Sequence, residues 1–576
     1  MCETRKKALQ CREIRSIVHA MQIPVSELIV QFMERLGIEY AFGMPGAHIQ
    51  PVYDSLYHSS VKTVLAKHEQ GAAFMACGCT RASGRISACI TTAGPGATNL
   101  VTGIANAYAD RQPVLVITGE TSTHIFGKGG LQESSGEGGS IDQDELFRSI
   151  TRYRKVVERT DYLANVLNLA SKVLLSPNSG PVLLCLPFNV QQELVDADLL
   201  DSVVTEQPDP AAFENSRAID ALTGLILEAR NPVIVAGYGC IRSGAQAQVS
   251  ELSKTLNIPV TSSMKGKGVI SEQSALSLGS LGVTSTGYAY KYIVENADAI
   301  IFLGAGFNER TSYLWDATLL HNKKIAQVDS NPDQIDKVFK ADVTVTGDIK
   351  STLNGVLKTL DAQGVDRQAV RKQIAANDPV ARNDVGSSKI FSAGFALVES
   401  FFRRLEKHFP RDLVVFDDNL IFAQNFFNVS SDNRFYPNAG ISSLGHAIPA
   451  AIGSRFAEHK PTLAIIGDGG FQMCCMELMT AVNYKLPITV VMFNNSSMGL
   501  IRKNQYQSYG QRYIDCEFEN PDYALLARSF GIEYQRVATA ADLDGLFADT
   551  DFAGKINLVE IMLDKDAFPN YNSLRK

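Results

Sequence analysis

From Pro24 onward the chain alternates two hydrophobic rhythms. SELIVQFMERLG (residues 26–37) repeats its apolar positions at helical spacing, whereas EYAFGMPG (39–46) is a short apolar run that breaks at a turn of glycine and proline. ISACITTAG (86–94), PVLVITGE (113–120) and GPVLLCLP (180–187) are apolar runs bounded by Gly or Pro. Such runs are strands of a parallel sheet covered by helices on both faces, where neither side of a strand meets water. Residues 23–190 are therefore expected to form one α/β domain, preceded by an extension of residues 1–22. The polar, Pro- and Asp-containing stretch that starts at Gln191 reads as a linker. It opens a second domain, residues 191–360, with strand-turn units NPVIVAGYGC, DAIIFLGAG and KIAQVDSNPD. A charged segment, 361–389, reads as another linker, and residues 390–576 form a third domain with DLVVFDD, PTLAIIGDGG, LPITVVMFNN and INLVEIML as its strands. The expected architecture is three doubly wound, parallel-sheet α/β domains.

Composition narrows the function. The chain has 576 residues, 45% hydrophobic and 20% charged, enough for several cores. Fifty-four Lys and Arg against 61 Asp and Glu give a net charge of -7. With no basic block, the overall field does not attract nucleic acid or an anionic membrane, so anionic ligands must be held locally. No apolar run approaches the roughly 18 residues of a membrane span. The start, MCETRKKALQCREIRSIVHAMQ, lacks the apolar core of a secretory signal, and Glu3 and Glu13 count against a transit peptide, so a cytoplasmic location is expected. Ten scattered cysteines without a C-x-x-C pair suggest reduced thiols rather than a disulfide framework or a zinc site.

The chemistry concentrates in GDGGFQMCCMELMTAVNYKLPITVVMFNN, where one strand ends in Gly467-Asp468-Gly469 and a second in Asn494-Asn495, with 24 residues between Gly469 and Asn494. That separation fits one helix and one strand, so a carboxylate and an amide emerge side by side at the carboxyl ends of adjacent strands, where such sheets bind ligands. Hard oxygen donors there suit Mg²⁺, and Gly469 and Gly470 let the backbone approach a diphosphate. Either motif alone reads as a turn; together they read as a site.

The same spacing resembles that of thiamine-diphosphate enzymes. FGMPGAHIQPVYDSL, KHEQGAAFMACGCTRASG, TTAGPGATNLVTGIANAYADRQPVLVITGE and ISSLGHAIPAAIG resemble the acetohydroxyacid synthase (acetolactate synthase) group, over nearly the whole chain from about residue 24. The resemblance implies pyrimidine-binding, central nucleotide-type and diphosphate-binding domains, with Mg²⁺ held by Asp468, Asn495 and the carbonyl of Ser497. It makes Glu69 the carboxylate that hydrogen-bonds the aminopyrimidine and Leu444 the apolar prop beneath the bent cofactor. Gly46, Gly94, Pro95, Asn99, Gly467, Met498 and Gly499 complete the cofactor contacts. The activity implied is decarboxylation of pyruvate, a 2-oxo acid, and transfer of the two-carbon unit to a second carbonyl compound. The assembly implied is a homodimer or homotetramer with active sites between subunits, with room for a small regulatory subunit.

The substrate positions depart from that group. Leu131-Gln132 stands where the group has Phe-Gln, Pro187-Phe188-Asn189 where it has Pro-Lys-Asp, and Asn504 where it has a tryptophan. Arg310 keeps the basic residue that faces the acceptor's carboxylate, and Ala47 completes the pocket. His48, in GAHI, and the LQES segment resemble benzaldehyde lyase, which makes and cleaves 2-hydroxyketones; His48 and Gln132 become the polar groups aimed at a substrate oxygen. SSGEGGSID (134–142) reads as an inserted, mobile loop beside the pocket. Three readings stay open: acetolactate-forming carboligation, a 2-hydroxyketone lyase or carboligase with an aldehyde or ketosugar acceptor, and a silent regulatory subunit. Intact Glu69, Asp468 and Asn495 argue against the last. In the central domain, NPVIVAGYGCIRSGA, SSMKGKG, LGSLG, GAGFNER and DSNPD follow the order of FAD-binding relatives, with Asp329 facing a ribose, although Gly306 and Asn308 replace their arginine and aspartate. FAD is therefore expected as a further cofactor.

Overall fold

The computed structural model describes residues 21–206, 215–366, 368–370 and 390–571. Most of the expected amino-terminal extension and of the 361–389 linker lies outside the described residues. Among the described residues, no helix is long and apolar enough to cross a membrane. The chain divides into two compact units, described separately below.

The amino-terminal unit is built on a six-stranded parallel sheet. Across it run Lys62–Leu65, Tyr40–Gly43, Ser87–Thr91, Val114–Glu120, Val182–Pro187 and Tyr153–Val156. Every residue of Val114–Glu120 is buried, as a Val- and Ile-rich strand covered on both faces must be. The helix Val25–Arg35 buries Val25, Leu28, Ile29, Phe32 and Met33 against this core, an i, i+3, i+4, i+7 stripe whose large side chains each contribute about 1.5–3 kcal/mol by leaving water. The stretch read as a linker from Gln191 is instead part of this unit. Leu194–Asp196 pairs antiparallel with Gln22–Pro24, and Val195, Leu200 and Val203 are buried in the same core. Their spacing within a polar sequence is too sparse to show as a period.

The second unit carries two six-stranded parallel sheets. In the central one, strand Pro232–Ala236 sends Ile234 and Ala236 into one buried cluster and Val233 and Val235 into another, so helices cover both faces. The strands run Ser277–Ser280, Val260–Ser262, Pro232–Ala236, Ala299–Leu303, Lys324–Asp329 and Val343–Thr346. The carboxy-terminal sheet runs Arg434–Pro437, Val414–Asp417, Thr462–Gly467, Thr489–Asn494, Asn557–Met562 and Glu533–Val537. Its third strand in sequence lies on the opposite side of the first from the second. A crevice opens where the order reverses, at the carboxyl ends of Val414–Asp417 and Thr462–Gly467.

Candidate active site

That crevice is a cavity of about 260 Å³ in the carboxy-terminal domain. Gly467, Asp468, Gly469, Gly470, Asn495, Ser497, Met498, Gly499 and Leu444 all line it, which brings together nine positions singled out from the sequence. The strand Thr462–Gly467 delivers Asp468 and the strand Thr489–Asn494 delivers the two asparagines, whose roles then diverge. Asn494 is buried and turned inward, donating to Glu560, whereas Asn495 faces the cavity. Asp468 is buried and accepts from the backbone N–H of Ser496 at 2.7 Å and of Gly469 at 3.1 Å. Burial pushes its carboxyl above the ordinary aspartate range against those donors.

The donor set fits a hard divalent cation bridging to a diphosphate: one carboxylate, one amide oxygen and one backbone carbonyl. Close quarters at the glycines agree. A Cβ at Gly469 would lie 2.8 Å from Met498 Sδ, and one at Gly499 would lie 2.8 Å from Asn495 Nδ2. Ser496 takes φ of +50°, backbone strain of the kind that concentrates at functional turns. Among the described residues no three His, Cys, Asp or Glu side chains cluster to hold a metal, so a cation here must draw on the amide and carbonyl.

The sequence did not single out Asp418, although it also lines the cavity. Its fully buried carboxylate accepts from the N–H groups of Gly445, His446 and Ala447 at 2.8, 2.9 and 3.1 Å, which fixes the loop carrying Leu444. Burial raises Asp418 to about 6 and its neighbour Asp417 to about 7. Asn419, another lining residue missed, accepts from Arg310 Nη1 at 3.1 Å and so ties the expected acceptor-facing cation to the cavity wall. The helix Gly499–Ser508 lines the cavity with Gly499, Leu500 and Ile501; Asn504 lies about one turn beyond them and is half-buried.

The amino-terminal unit gathers a different set. Glu69 opens the helix Glu69–Ser83 and accepts from Asn99 Nδ2 at 2.9 Å. His48 Nδ1 lies 3.3 Å from Gln132 Oε1, which also accepts from Thr92 Oγ1. Gln132 takes φ of +56° and packs on the loop of Gly94, itself at φ +60°, while Pro95 begins the short helix Pro95–Thr98. A Cβ at Gly119 would lie 2.2 Å from the His48 carbonyl oxygen, so the strand end must be glycine for His48 to sit there. Gly46 and Phe188 are half-buried, whereas Ala47 is exposed and Leu131 is 72% exposed in the single chain. Glu120, also missed, is buried and raised by desolvation; it accepts from Thr121 N and Ser134 N and so anchors the Gln132 segment. The Gly- and Ser-rich segment after it closes on itself rather than spreading as an open loop. Gly136 N donates to Ile141 O at 2.9 Å, and Ser135 Oγ to Glu133 at 2.8 Å.

In the central domain the glycine turns interlock. A Cβ at Gly237 would fall 2.1 Å from the Gly304 carbonyl oxygen, and one at Gly239 would fall 2.6 Å from Gly304 Cα. Packing alone therefore accounts for these three. Asp329 is buried and accepts from Asn331 N at 2.8 Å. Ser280 Oγ and Thr284 Oγ1, in and just after the LGSLG turn, are buried without a hydrogen-bond partner, two groups that a nucleotide could engage.

Comparison with known proteins agrees with this arrangement. Residues 23–140 match the thiamine pyrophosphate enzyme N-terminal TPP binding domain, 219–356 the central domain and 418–558 the C-terminal TPP binding domain. A probable acetolactate synthase large subunit of Methanococcus aeolicus is 30% identical over 94% of this chain and 92% of that protein. Another, of Methanocaldococcus jannaschii, is 31% identical over the same shares. The acetolactate synthase isozyme 3 large subunit of Escherichia coli is 29% identical over 88% of both chains. With three thiamine pyrophosphate enzyme domains in order and relatives matched over nearly their full length, the chain belongs to the acetolactate synthase large-subunit family of thiamine pyrophosphate enzymes.

Proposed function

We propose that the protein is a Mg²⁺-dependent carboligase that decarboxylates pyruvate and joins the two-carbon unit to a second pyruvate, giving 2-acetolactate. The observation that carries this reading is the single cavity lined by Leu444, Asp468, Asn495 and Ser497. Thiamine diphosphate, when bound, supplies the electron sink that lets a 2-oxo acid lose carbon dioxide. Asp468 and Asn495, through their side-chain oxygens, and Ser497, through its carbonyl, would hold a Mg²⁺ whose charge would offset that of a diphosphate. Glu69, oriented by Asn99, would hold or release a proton at its own carboxyl oxygen beside the bound cofactor. Leu444, on a loop fixed by Asp418, would exclude water and pack against the bound cofactor. Arg310, held by Asn419, binds the acceptor's carboxylate.

A second reading, a 2-hydroxyketone lyase or a carboligase with an aldehyde or ketosugar acceptor, is favoured by the His48–Gln132 pair, in which the His48 ring would accept a substrate hydroxyl proton. Ala47, Leu131, Phe188 and Asn504 belong to the substrate pocket in either reading. Proton NMR of the purified protein with thiamine diphosphate, Mg²⁺ and pyruvate alone separates the two. Accumulating 2-acetolactate supports the first; untouched pyruvate with turnover of an acyloin such as benzoin supports the second.

The further ligands and partners proposed follow the family. FAD is assigned to the central domain on the order of its glycine turns and the two unpartnered hydroxyls, and the flavin absorbance of the purified protein checks it. The assembly is a homodimer or homotetramer with active sites between subunits, a small regulatory subunit is a candidate partner, the location is cytoplasmic, and the role is in branched-chain amino acid biosynthesis.

A further inference from the structure

We infer that Asn520 is a positioning residue that locks Asp468 in place for the divalent cation. The inference rests on the reading of Asp468 and Asn495 as cation ligands, and it concerns a residue outside both motifs. Asn520 Nδ2 donates to Asp468 Oδ2 at 2.9 Å, to Asn494 Oδ1 at 2.8 Å and to Ser496 Oγ at 3.2 Å. One amide group thus ties the turn after strand Thr462–Gly467 to the turn after strand Thr489–Asn494.

The orientation of that amide is determined by its other end. Asn520 Oδ1 accepts from Tyr523 O–H and from Gln472 Nε2, both at 2.8 Å. A flipped amide would turn its oxygen toward the Asp468 carboxylate and the Asn494 carbonyl, three acceptors with no hydrogen among them. Tyr523 is itself buried, with its ring edge-on to Phe471 at 5.3 Å, so the anchor is joined to the helix that follows Asp468. The backbone is restricted too. Pro521 disfavours helical conformation at Asn520, and Asp522 caps the next helix by accepting from Leu525 N at 2.9 Å.

Asp468 Oδ2 is thereby held by two donors, Asn520 Nδ2 and Ser496 N, while Oδ1 accepts only the longer bond from Gly469 N. A carboxylate fixed in this way presents one oxygen to a cation without first losing rotational freedom. Asn520 does not line the cavity and acts through Asp468.

The test uses full-length protein and titrates Mg²⁺ at saturating thiamine diphosphate, following cofactor binding by calorimetry and, in parallel, turnover. N520A is expected to raise the Kd for Mg²⁺ about 10- to 100-fold, the range for loss of a group that orients a metal ligand. Its kcat should return toward wild type as Mg²⁺ is raised, which a general loss of structure would not allow. N520S, which keeps a hydroxyl donor at shorter reach, is expected between the two and serves if N520A does not fold. Y523F should weaken Mg²⁺ only a few-fold, because the amide keeps its Gln472 partner. An unchanged Mg²⁺ affinity in both Asn520 variants, with D468N unable to bind, overturns the inference and leaves the cation site standing. Unchanged affinity in D468N as well overturns the underlying reading.

Discussion

The amino-terminal and carboxy-terminal sheets have one strand order, and their candidate residues come from corresponding places. In both, the second strand in sequence lies outside the first, followed on the other side by the third, fourth, sixth and fifth. The carboxyl end of the first strand leads to His48 in one and Asp418 in the other; the third leads to Gly94 and to Asp468. The chemistry differs completely. The carboxy-terminal crevice offers a carboxylate, an amide and a carbonyl over a glycine floor; the amino-terminal strand ends offer two separate hydrogen-bonded pairs, Glu69 with Asn99 and His48 with Gln132. The fold fixes where strand-end side chains gather, and the identity of those side chains decides what each strand end can bind. The central sheet sharpens the point. Its order places three successive strands on each side of the reversal, and its glycines at 237, 239 and 304 are occupied with one another.

The sharpest way to break this comparison is to disable each crevice in turn. E69Q keeps the shape and the Asn99 contact but loses the ionisable carboxyl, so turnover should fall about 10²- to 10⁴-fold with cofactor binding largely retained, as measured by steady-state kinetics beside a binding titration. A silent regulatory protein would be indifferent to this change. G499A probes the carboxy-terminal crevice. Its new Cβ would press on the Asn495 amide, and the Mg²⁺ requirement should rise about tenfold. R310A should raise KM for the second 2-oxo acid more than it lowers cofactor affinity, by the roughly 1.5–3 kcal/mol of a charge-assisted hydrogen bond.

Another effect concerns stability and separates the scaffold of the cation crevice from its ligands. Asp417 is fully buried, and its folded-state carboxyl, about 7, lies above the unfolded value of 3.8. The native state therefore binds more protons between those values, and stability is present below about pH 4 and lost as pH rises through about 7. D417N removes that loss. Gln424 can turn its unpartnered Oε1 toward the new amide, so the variant should gain about 4 kcal/mol near pH 8 and little near pH 4, read by denaturant unfolding at the two pH values.

Much of this was legible along the chain because it is local. Strands such as Val114–Glu120 and Thr489–Asn494 are continuous apolar runs, and Asp468 and Asn495 are delivered by strands whose ends the glycine and asparagine pairs mark. The supports were not legible, because each acts across the fold. Asp418 holds backbone about 27 residues away, Asn520 reaches back 52 residues to Asp468, and Glu120 holds Ser134 from a strand that reads as ordinary core. Val195, Leu200 and Val203 hid for another reason: three apolar residues in a polar stretch have no period, yet each finds a place in the amino-terminal core.

The most direct measurement is calorimetric titration of thiamine diphosphate with Mg²⁺ into wild type, E69Q and D468N. Wild type and E69Q are expected to bind, with D468N failing to bind at the same Mg²⁺ concentration. Binding to D468N with wild-type affinity would contradict the assignment of the cation and diphosphate to the carboxy-terminal crevice.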